Sequence, residues 1–163
     1  MIDVVSVAIG IGLAVSLVFS EVFGLAAGGM VVPGYISLYL DRPLHLALTI
    51  GCAFATYLIV RLLSTFVIIY GRRRTVAMIL SGYLMRSLFD LLPVDQLLAR
   101  FMTPEQLADP ESSVIRVIGF IIPGLIAIWM DRQGVVETLS ALAAAAVVVR
   151  LVLILLYGPA LGL

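Results

Sequence analysis

The stretch Gly29-Met30-Val31-Val32-Pro33-Gly34-Tyr35-Ile36 lies inside an apolar run in the first half of the chain. A closely similar stretch, Gly119-Phe120-Ile121-Ile122-Pro123-Gly124-Leu125-Ile126, lies inside an apolar run in the second half. Pro followed by Gly is unfavourable inside a helix, because Pro removes a backbone hydrogen bond and Gly loses much conformational freedom on folding. Two such stretches at matching places in two apolar halves are typical of a duplicated membrane fold with helices broken near its centre.

The composition is that of a membrane protein. Of the 163 residues, 63% are hydrophobic and only 12% are charged. These values exclude an ordinary soluble domain and predict a single membrane domain over residues 1–163. Acidic and basic residues number ten each, so there is no basic surplus that would predict binding to nucleic acid. Cys52 is the only cysteine, which excludes an intrachain disulfide and a Cys-based metal site.

Six apolar runs follow one another along the chain and predict an all-α integral membrane protein. A helix that crosses the membrane needs about 20 apolar residues. The runs are Val4–Ser20, Val22–Leu40, Leu44–Tyr70, Val76–Leu92, Val114–Met130 and Val135–Tyr157. The second and fifth runs contain Pro-Gly, so neither can be one uniform helix. We therefore predict two three-helix repeats, at residues 4–70 and 76–157, with the middle helix of each broken at Pro-Gly.

The loops predict how these helices are oriented. Arg72, Arg73 and Arg74 lie in a short loop, which predicts a cytoplasmic position for that loop. Residues 93–113 form a polar linker on the opposite side, where one apolar face predicts a short interfacial helix. If all six runs cross the membrane, each repeat has three crossings and the two repeats are inverted. If the two Pro-Gly segments are re-entrant, four runs cross and the repeats are parallel. We favour the inverted arrangement.

The similarity of the two halves extends beyond Pro-Gly. The matching residues are Asp41 with Asp131, Arg61 with Arg150, and Tyr70-Gly71 with Tyr157-Gly158. Arg61 and Arg150 are charges inside apolar runs, where a charge is costly and usually faces a polar interior. Their guanidinium groups suit a carboxylate-bearing substrate. The alternative is that the two arginines extend to the lipid headgroups or pair with Glu21 or Glu137.

A break inside the membrane leaves backbone N–H and C=O groups without intrahelical partners, which is costly in hydrocarbon. A half-helix that begins near Gly34 or Gly124 directs its positive end at the break and favours an anion there. Alternatively, Pro and Gly only kink a helix or allow close helix packing. We interpret the breaks and the nearby charges as a substrate or polymer path, formed by Pro33, Gly34, Pro123, Gly124, Arg61, Arg150 and Glu21.

A second group of charged residues is expected to contact a partner protein or anionic lipid, and it comprises Arg72, Arg73, Arg74, Asp131 and Arg132. Arg86 and Asp90 are four residues apart and are expected to form an ordinary intrahelical pair. The sequence contains no Walker loop, Gly-rich nucleotide fingerprint, zinc spacing or Ser-His-Asp set. We predict no catalytic residue, metal ligand or cofactor site in this chain, so any reaction that needs ATP is assigned to another chain.

Three motifs follow one another over nearly the whole chain. They are Gly29 to Tyr35; Tyr70-Gly71-Arg72-Arg73-Arg74 with Ala77-Met78; and Ile121 to Ala127 with Arg132-Gln133-Gly134. In this order they resemble the capsule-biosynthesis CapC/PgsC family, the small membrane subunit of bacterial poly-γ-glutamate synthase. The resemblance implies a multi-pass protein of the bacterial cytoplasmic (inner) membrane. It also implies a cytosolic Mur-ligase-like partner, which holds ATP and Mg and joins glutamates through their γ-carboxyl groups, and a membrane-anchored extracellular subunit.

We therefore expect a membrane subunit that is no enzyme on its own, anchors an ATP-dependent ligase, and receives or translocates the anionic polymer. Broken helices and arginines within the membrane suit a chain that carries one carboxylate per unit. Two alternatives stay open. The chain is a stand-alone secondary transporter of a small anionic metabolite, which inverted repeats would also suit, or it is a scaffold that conducts nothing.

Overall fold

The computed structural model describes residues 4–69, 71–91 and 117–158. Within these ranges every regular element is a helix. The helices are α1 (Val4–Phe23), α2 (Val32–Leu38), α3 (Pro43–Phe66), α4 (Arg72–Leu91), α5 (Ile122–Gln133) and α6 (Val135–Tyr157). The polar linker 93–113 and its predicted interfacial helix lie outside the described residues.

Three of the helices are long and apolar enough to cross a membrane, namely α1, α3 and α6, with 20, 24 and 23 residues. The prediction of an all-α membrane protein is therefore confirmed. Helix α4 also has 20 residues, but it begins with three arginines and carries Arg86 further along, so its composition is less apolar. Helices α2 and α5 have only 7 and 12 residues, too few to span the bilayer at about 1.5 Å per residue.

Helix α2 packs back along α1. The Ser16 hydroxyl donates a hydrogen bond to the Met30 carbonyl at 3.1 Å, and Gly34 lies against Ala8 and Gly12. Residue numbers fall along α1 as they rise along the following chain, so the two segments are antiparallel. Because Gly12 lies near the middle of α1, α2 begins near the middle of the layer that α1 spans.

Helix α5 packs in the same way on α4. The Arg86 guanidinium donates to the Gly119 carbonyl at 3.2 Å, Gly82 lies against Gly124, and Arg74 pairs with Asp131 near the start of α4. These contacts again run antiparallel. Each short helix therefore starts at the middle of the long helix that precedes it and extends towards the first residues of that helix.

The two short helices run in opposite directions. A Cβ atom placed on Gly28 would lie 3.6 Å from Ile126 and 3.5 Å from Leu142, which are equally far along the chain from Gly134. Helices α5 and α6 therefore form an antiparallel hairpin about Gly134. Leu153, late in α6, belongs to a small core cluster with Ala8, early in α1, so α6 is antiparallel to α1. Thus α5 is parallel to α1, whereas α2 is antiparallel to it. Whether the two halves arose by duplication is not tested by this geometry, and the duplication stays a prediction.

The main core lies where the short helices α2 and α5 meet α3, α4 and α6. Its buried members include Val60, Ile126 and Leu142. Thr49 and Thr56 are fully buried, and each hydroxyl donates at 2.7 Å to the carbonyl four residues earlier in α3. Such bonds satisfy the hydroxyl proton within the same helix, so these polar side chains can be buried. The outer faces carry many large exposed apolar side chains, as expected for surfaces that meet lipid.

Candidate functional site

The two Pro-Gly positions begin the two short helices. Pro33 and Pro123 lie in the first turns of α2 and α5, and both are less than 2% exposed. Proline is favoured at the start of a helix, because the N–H that it lacks has no intrahelical acceptor there. The residues that look unfavourable within a helix therefore define where each short helix starts.

Gly34 and Gly124 are points of close helix contact. A Cβ atom on Gly12 would lie 2.7 Å from the Cα atom of Gly34, and one on Gly82 would lie 2.8 Å from the Cα atom of Gly124. Only glycine allows two backbones to approach so closely. Nothing can pass between the backbones at these two crossings. The close-packing interpretation accounts for both glycines, and the polymer path assigned to them stays a prediction.

Side chains satisfy the non-helical backbone that precedes α2. The Gln133 side chain accepts a hydrogen bond from the Ala26 N–H at 3.0 Å and donates one to the Ala26 carbonyl at 2.6 Å. Ser16 provides the bond to Met30 described above. This segment is thus held by the end of α5 on one side and by α1 on the other, which offsets the helical bonds lost at the break.

Arg86 satisfies the non-helical backbone that precedes α5. Its side chain is 6% exposed, donates to the Val117 and Gly119 carbonyls, and lies 4.4 Å from the centre of the Phe120 ring. The Ile118 N–H donates to the Thr49 hydroxyl at 3.0 Å. These contacts were not anticipated from the sequence, although a charge in the middle of an apolar run was a visible signal. The expected pair with Asp90 cannot be assigned, because the Asp90 side chain lies outside the described part.

The structure does not give Arg150 and Arg61 equivalent surroundings. Arg150 contacts Asp41 as an ion pair and donates to the Ser37 carbonyl at 3.4 Å, so it closes the end of α2. Arg61 is exposed and donates to the Tyr57 hydroxyl at 2.5 Å. The carboxylate beside Arg150 is thus Asp41, which was not anticipated as its partner. Glu21, also predicted on the path, is exposed near the end of α1.

Most of the residues predicted to contact a partner or lipid come together in one open pocket of about 420 Å³. We call it the basic pocket. It lies between the start of α4 and the end of α5, and its lining comprises Gly71, Arg72, Arg74, Thr75, Met78, Ile128, Asp131 and Arg132. Arg73 is exposed and does not line it. Within the described residues no group of three His, Cys, Asp or Glu side chains is placed to hold a metal ion.

Contacts inside the basic pocket leave part of its positive charge uncompensated. Arg74 forms an ion pair with Asp131, whereas Arg132 lies 5.5 Å from the centre of the Trp129 ring. In the part of the chain that the structure describes, neither Arg72 nor Arg132 has a carboxylate partner. Guanidinium groups in this state are suited to bind a carboxylate or phosphate from outside the chain.

Comparison with known proteins agrees with the resemblance that the sequence motifs carry. The family model described as capsule biosynthesis CapC matches residues 11–139. The PGA biosynthesis protein CapC of Bacillus subtilis (strain 168) is 36% identical over 137 residues, which is 83% of each chain. The capsule biosynthesis protein CapC of Bacillus anthracis is 35% identical over 136 residues, 82% of this chain and 83% of that protein. No solved structure matches significantly. The chain therefore belongs to the CapC family of capsule biosynthesis proteins.

Proposed function

We propose that this chain is the membrane subunit of a poly-γ-glutamate synthase complex. It anchors a cytosolic ATP-dependent amide ligase in the bacterial inner membrane and receives the anionic polymer. The relative from Bacillus subtilis is named for PGA biosynthesis, and family membership supports the same product here. The observation that carries the proposal is the basic pocket, which gathers Arg72, Arg74 and Arg132 at one end of the helix bundle.

The position of the basic pocket suits a cytosolic ligase. Three consecutive arginines at the start of α4 predict that this end faces the cytoplasm. Exposed charges at the rim of an interface steer a partner and set its orientation. The sequence has no nucleotide-binding motif, so amide-bond formation, with its ATP and Mg, is assigned to the ligase. A further extracellular, membrane-anchored subunit is expected on the opposite side.

The role in translocation has two versions. In the first, the chain conducts the polymer across the multi-pass bundle, and Arg61 and Arg150 contact its carboxylates. In the second, the chain is a scaffold that conducts nothing. The close backbone contacts of Gly34 with Gly12 and of Gly124 with Gly82 favour the scaffold, because nothing can pass between the helix backbones at these two crossings. A conducting route would have to avoid both crossings.

Co-purification and polymer production test the proposal together. The tagged chain is expected to co-purify with its ligase from bilayer nanodiscs, and a strain without the chain is expected to make no capsule polymer. An unaltered polymer yield in that strain, or the absence of the ligase from the purified complex, contradicts the proposal. Uptake of a small anion by liposomes that contain this chain alone would instead identify a secondary transporter.

A double substitution separates the two versions of translocation. Arg61→Gln with Arg150→Gln removes both charges from the proposed path, and polymer is then measured inside and outside the cell. The conducting version predicts polymer that accumulates inside while the ligase still co-purifies. The scaffold version predicts unaltered export, or loss of synthesis together with loss of the ligase. An Arg150→Lys variant, which keeps the positive charge beside Asp41, controls for destabilisation of α2.

A further inference from the structure

The basic pocket has the features of a ligand site rather than of a general basic surface. It is concave, with about 420 Å³ of space, and its walls come from two helices that are far apart in sequence. Sites for small ligands are typically concave and formed by a few convergent polar groups on packed elements. Arg73, which is next to the pocket in sequence, is exposed and excluded from its lining, so only some of the local arginines converge.

The charges in the basic pocket favour two single negative charges that lie apart over one compact phosphate dianion. The Arg74–Asp131 ion pair forms part of the wall, and Asp131 repels any further negative charge that approaches it. The Nε atom of Arg74 is buried and has no hydrogen-bond partner in the described part of the chain. Arg72 and Arg132, two exposed residues of the lining, retain their positive charges. Two carboxylates on neighbouring units of a chain would neutralise them without crowding Asp131.

We infer that the basic pocket binds carboxylate groups of an acidic peptide-like chain, with Arg72 and Arg132 as the residues that contact them. The planar guanidinium matches a carboxylate with two parallel hydrogen bonds. The start of α4, at Arg72, adds the positive end of a 20-residue helix. Naming γ-linked glutamate as the unit of that chain rests on the proposed function, whereas the preference for carboxylates rests on the pocket alone.

The test is direct binding to the purified chain, with no ligase present. The full chain is placed in nanodiscs of zwitterionic lipid, and short γ-linked glutamate oligomers are titrated by calorimetry. We expect Arg72→Gln with Arg132→Gln to weaken binding by about tenfold or more, because the variant removes both guanidinium groups that contact the carboxylates, and solvent screening reduces the effect at these exposed positions. The single variant Arg73→Gln is the control, because it removes an adjacent positive charge outside the pocket, and it should change affinity less than twofold.

Each of the following outcomes overturns the inference. The variants Arg72→Gln and Arg132→Gln are also measured singly, and equal weakening by Arg73→Gln and by either of them would show general charge attraction. Equal affinity for an oligomer whose carboxylates are converted to amides would show that the carboxylates are not recognised. Preferential, pocket-dependent binding of phosphatidylglycerol, with no binding of the glutamate oligomer, would show a lipid headgroup site. Because Arg72 and Arg132 are exposed, both variants should retain the wild-type circular dichroism spectrum and melting curve, and loss of that spectrum would contradict their surface role.

This experiment is separable from the test of the proposed function. Binding of the oligomer by a chain that fails to co-purify with a ligase would leave the carboxylate site intact and remove the proposed anchoring role. Conversely, normal co-purification of the ligase by the Arg72→Gln, Arg132→Gln variant, with no difference in oligomer affinity from the wild type, would remove the carboxylate site and leave the anchoring role standing.

Discussion

The close contact between α1 and α2 makes a sharp prediction about two glycines on one helix. Gly12 is buried, and a Cβ atom there would lie 2.7 Å from both the N and Cα atoms of Gly34. Gly10, half a turn away on α1, is exposed. A Cβ atom placed on Gly10 would have no atom of another segment within 4 Å. Gly12→Ala therefore tests the contact, and Gly10→Ala is the matched control.

The expected size follows from the backbone separation. In Gly12→Ala, the new methyl group meets backbone atoms, which cannot rotate away as a flexible side chain can. Helices α1 and α2 must therefore separate until a 2.7 Å approach reaches the roughly 3.4 Å of ordinary contact. Overpacking of this kind costs about 1–3 kcal/mol. Both variants share the helix-propensity gain of about 1 kcal/mol for Gly to Ala, so this gain cancels in the comparison.

Unfolding in mild detergent measures the difference between these variants. Circular dichroism is followed during titration with a denaturing detergent, for the wild type and for Gly10→Ala and Gly12→Ala. We expect Gly10→Ala to be at least as stable as the wild type and Gly12→Ala to be less stable than Gly10→Ala by about 1–3 kcal/mol. Equal stability of the two variants would refute the close crossing of α1 and α2, and with it the support that this crossing gives to the scaffold version.

Three further predictions concern polar contacts and use the same unfolding assay. Arg86→Met should lower stability by about 1–3 kcal/mol for each backbone carbonyl left without a donor, and Arg86→Lys should be intermediate in stability. Wild-type stability of Arg86→Met would contradict the role of Arg86 in satisfying the backbone before α5. A double-mutant cycle of Arg150→Gln and Asp41→Asn should give a coupling free energy of about 0.2–1 kcal/mol, because the Asp41 side chain is half-exposed. Strict additivity of the two substitutions would show that the ion pair contributes nothing to stability. Gln133→Ala should lower stability by about 1–3 kcal/mol, because it removes the two hydrogen bonds to Ala26. The stability of Gln133→Glu should lie between those of Gln133→Ala and the wild type, since glutamate keeps only the acceptor. Equal stability of Gln133→Ala and the wild type would contradict these hydrogen bonds.

Several features of the fold were open to prediction because they depend on local chemistry. A run of apolar residues as long as α3 or α6 is stable only in hydrocarbon or in a buried core, so the membrane class follows from composition and length. Pro33 and Pro123 disrupt any helix that would include them in its interior, so the start of a new helix at each could be expected. The cluster of arginines at the start of α4 was visible as well.

Other features depend on contacts between distant residues, and no local pattern specified them. Arg150 was considered with Glu21 or Glu137, yet its carboxylate is Asp41, which only the packing of α2 against α6 brings close. Arg86 was expected to pair with Asp90 along its own helix, and that pair stays a prediction. The contact of Arg86 with the Gly119 carbonyl depends on the packing of the folded chain. Gly12 looked like any small residue in a membrane helix, although the spacing of Ala8, Gly12 and Ser16 on one face was a usable signal.

By itself, the sequence determined that the protein is a membrane protein, that a helix starts at each of Pro33 and Pro123, and that the end of the bundle at Arg72 is basic. These follow from properties of single residues and their neighbours, chiefly hydropathy, the missing proline N–H and charge. Only the tertiary structure decided that Gly34 and Gly124 are points of close helix contact, and that Arg132 joins the basic pocket. Those outcomes depend on backbone approach and on the distance between side chains from different helices, which are properties of the packed chain alone.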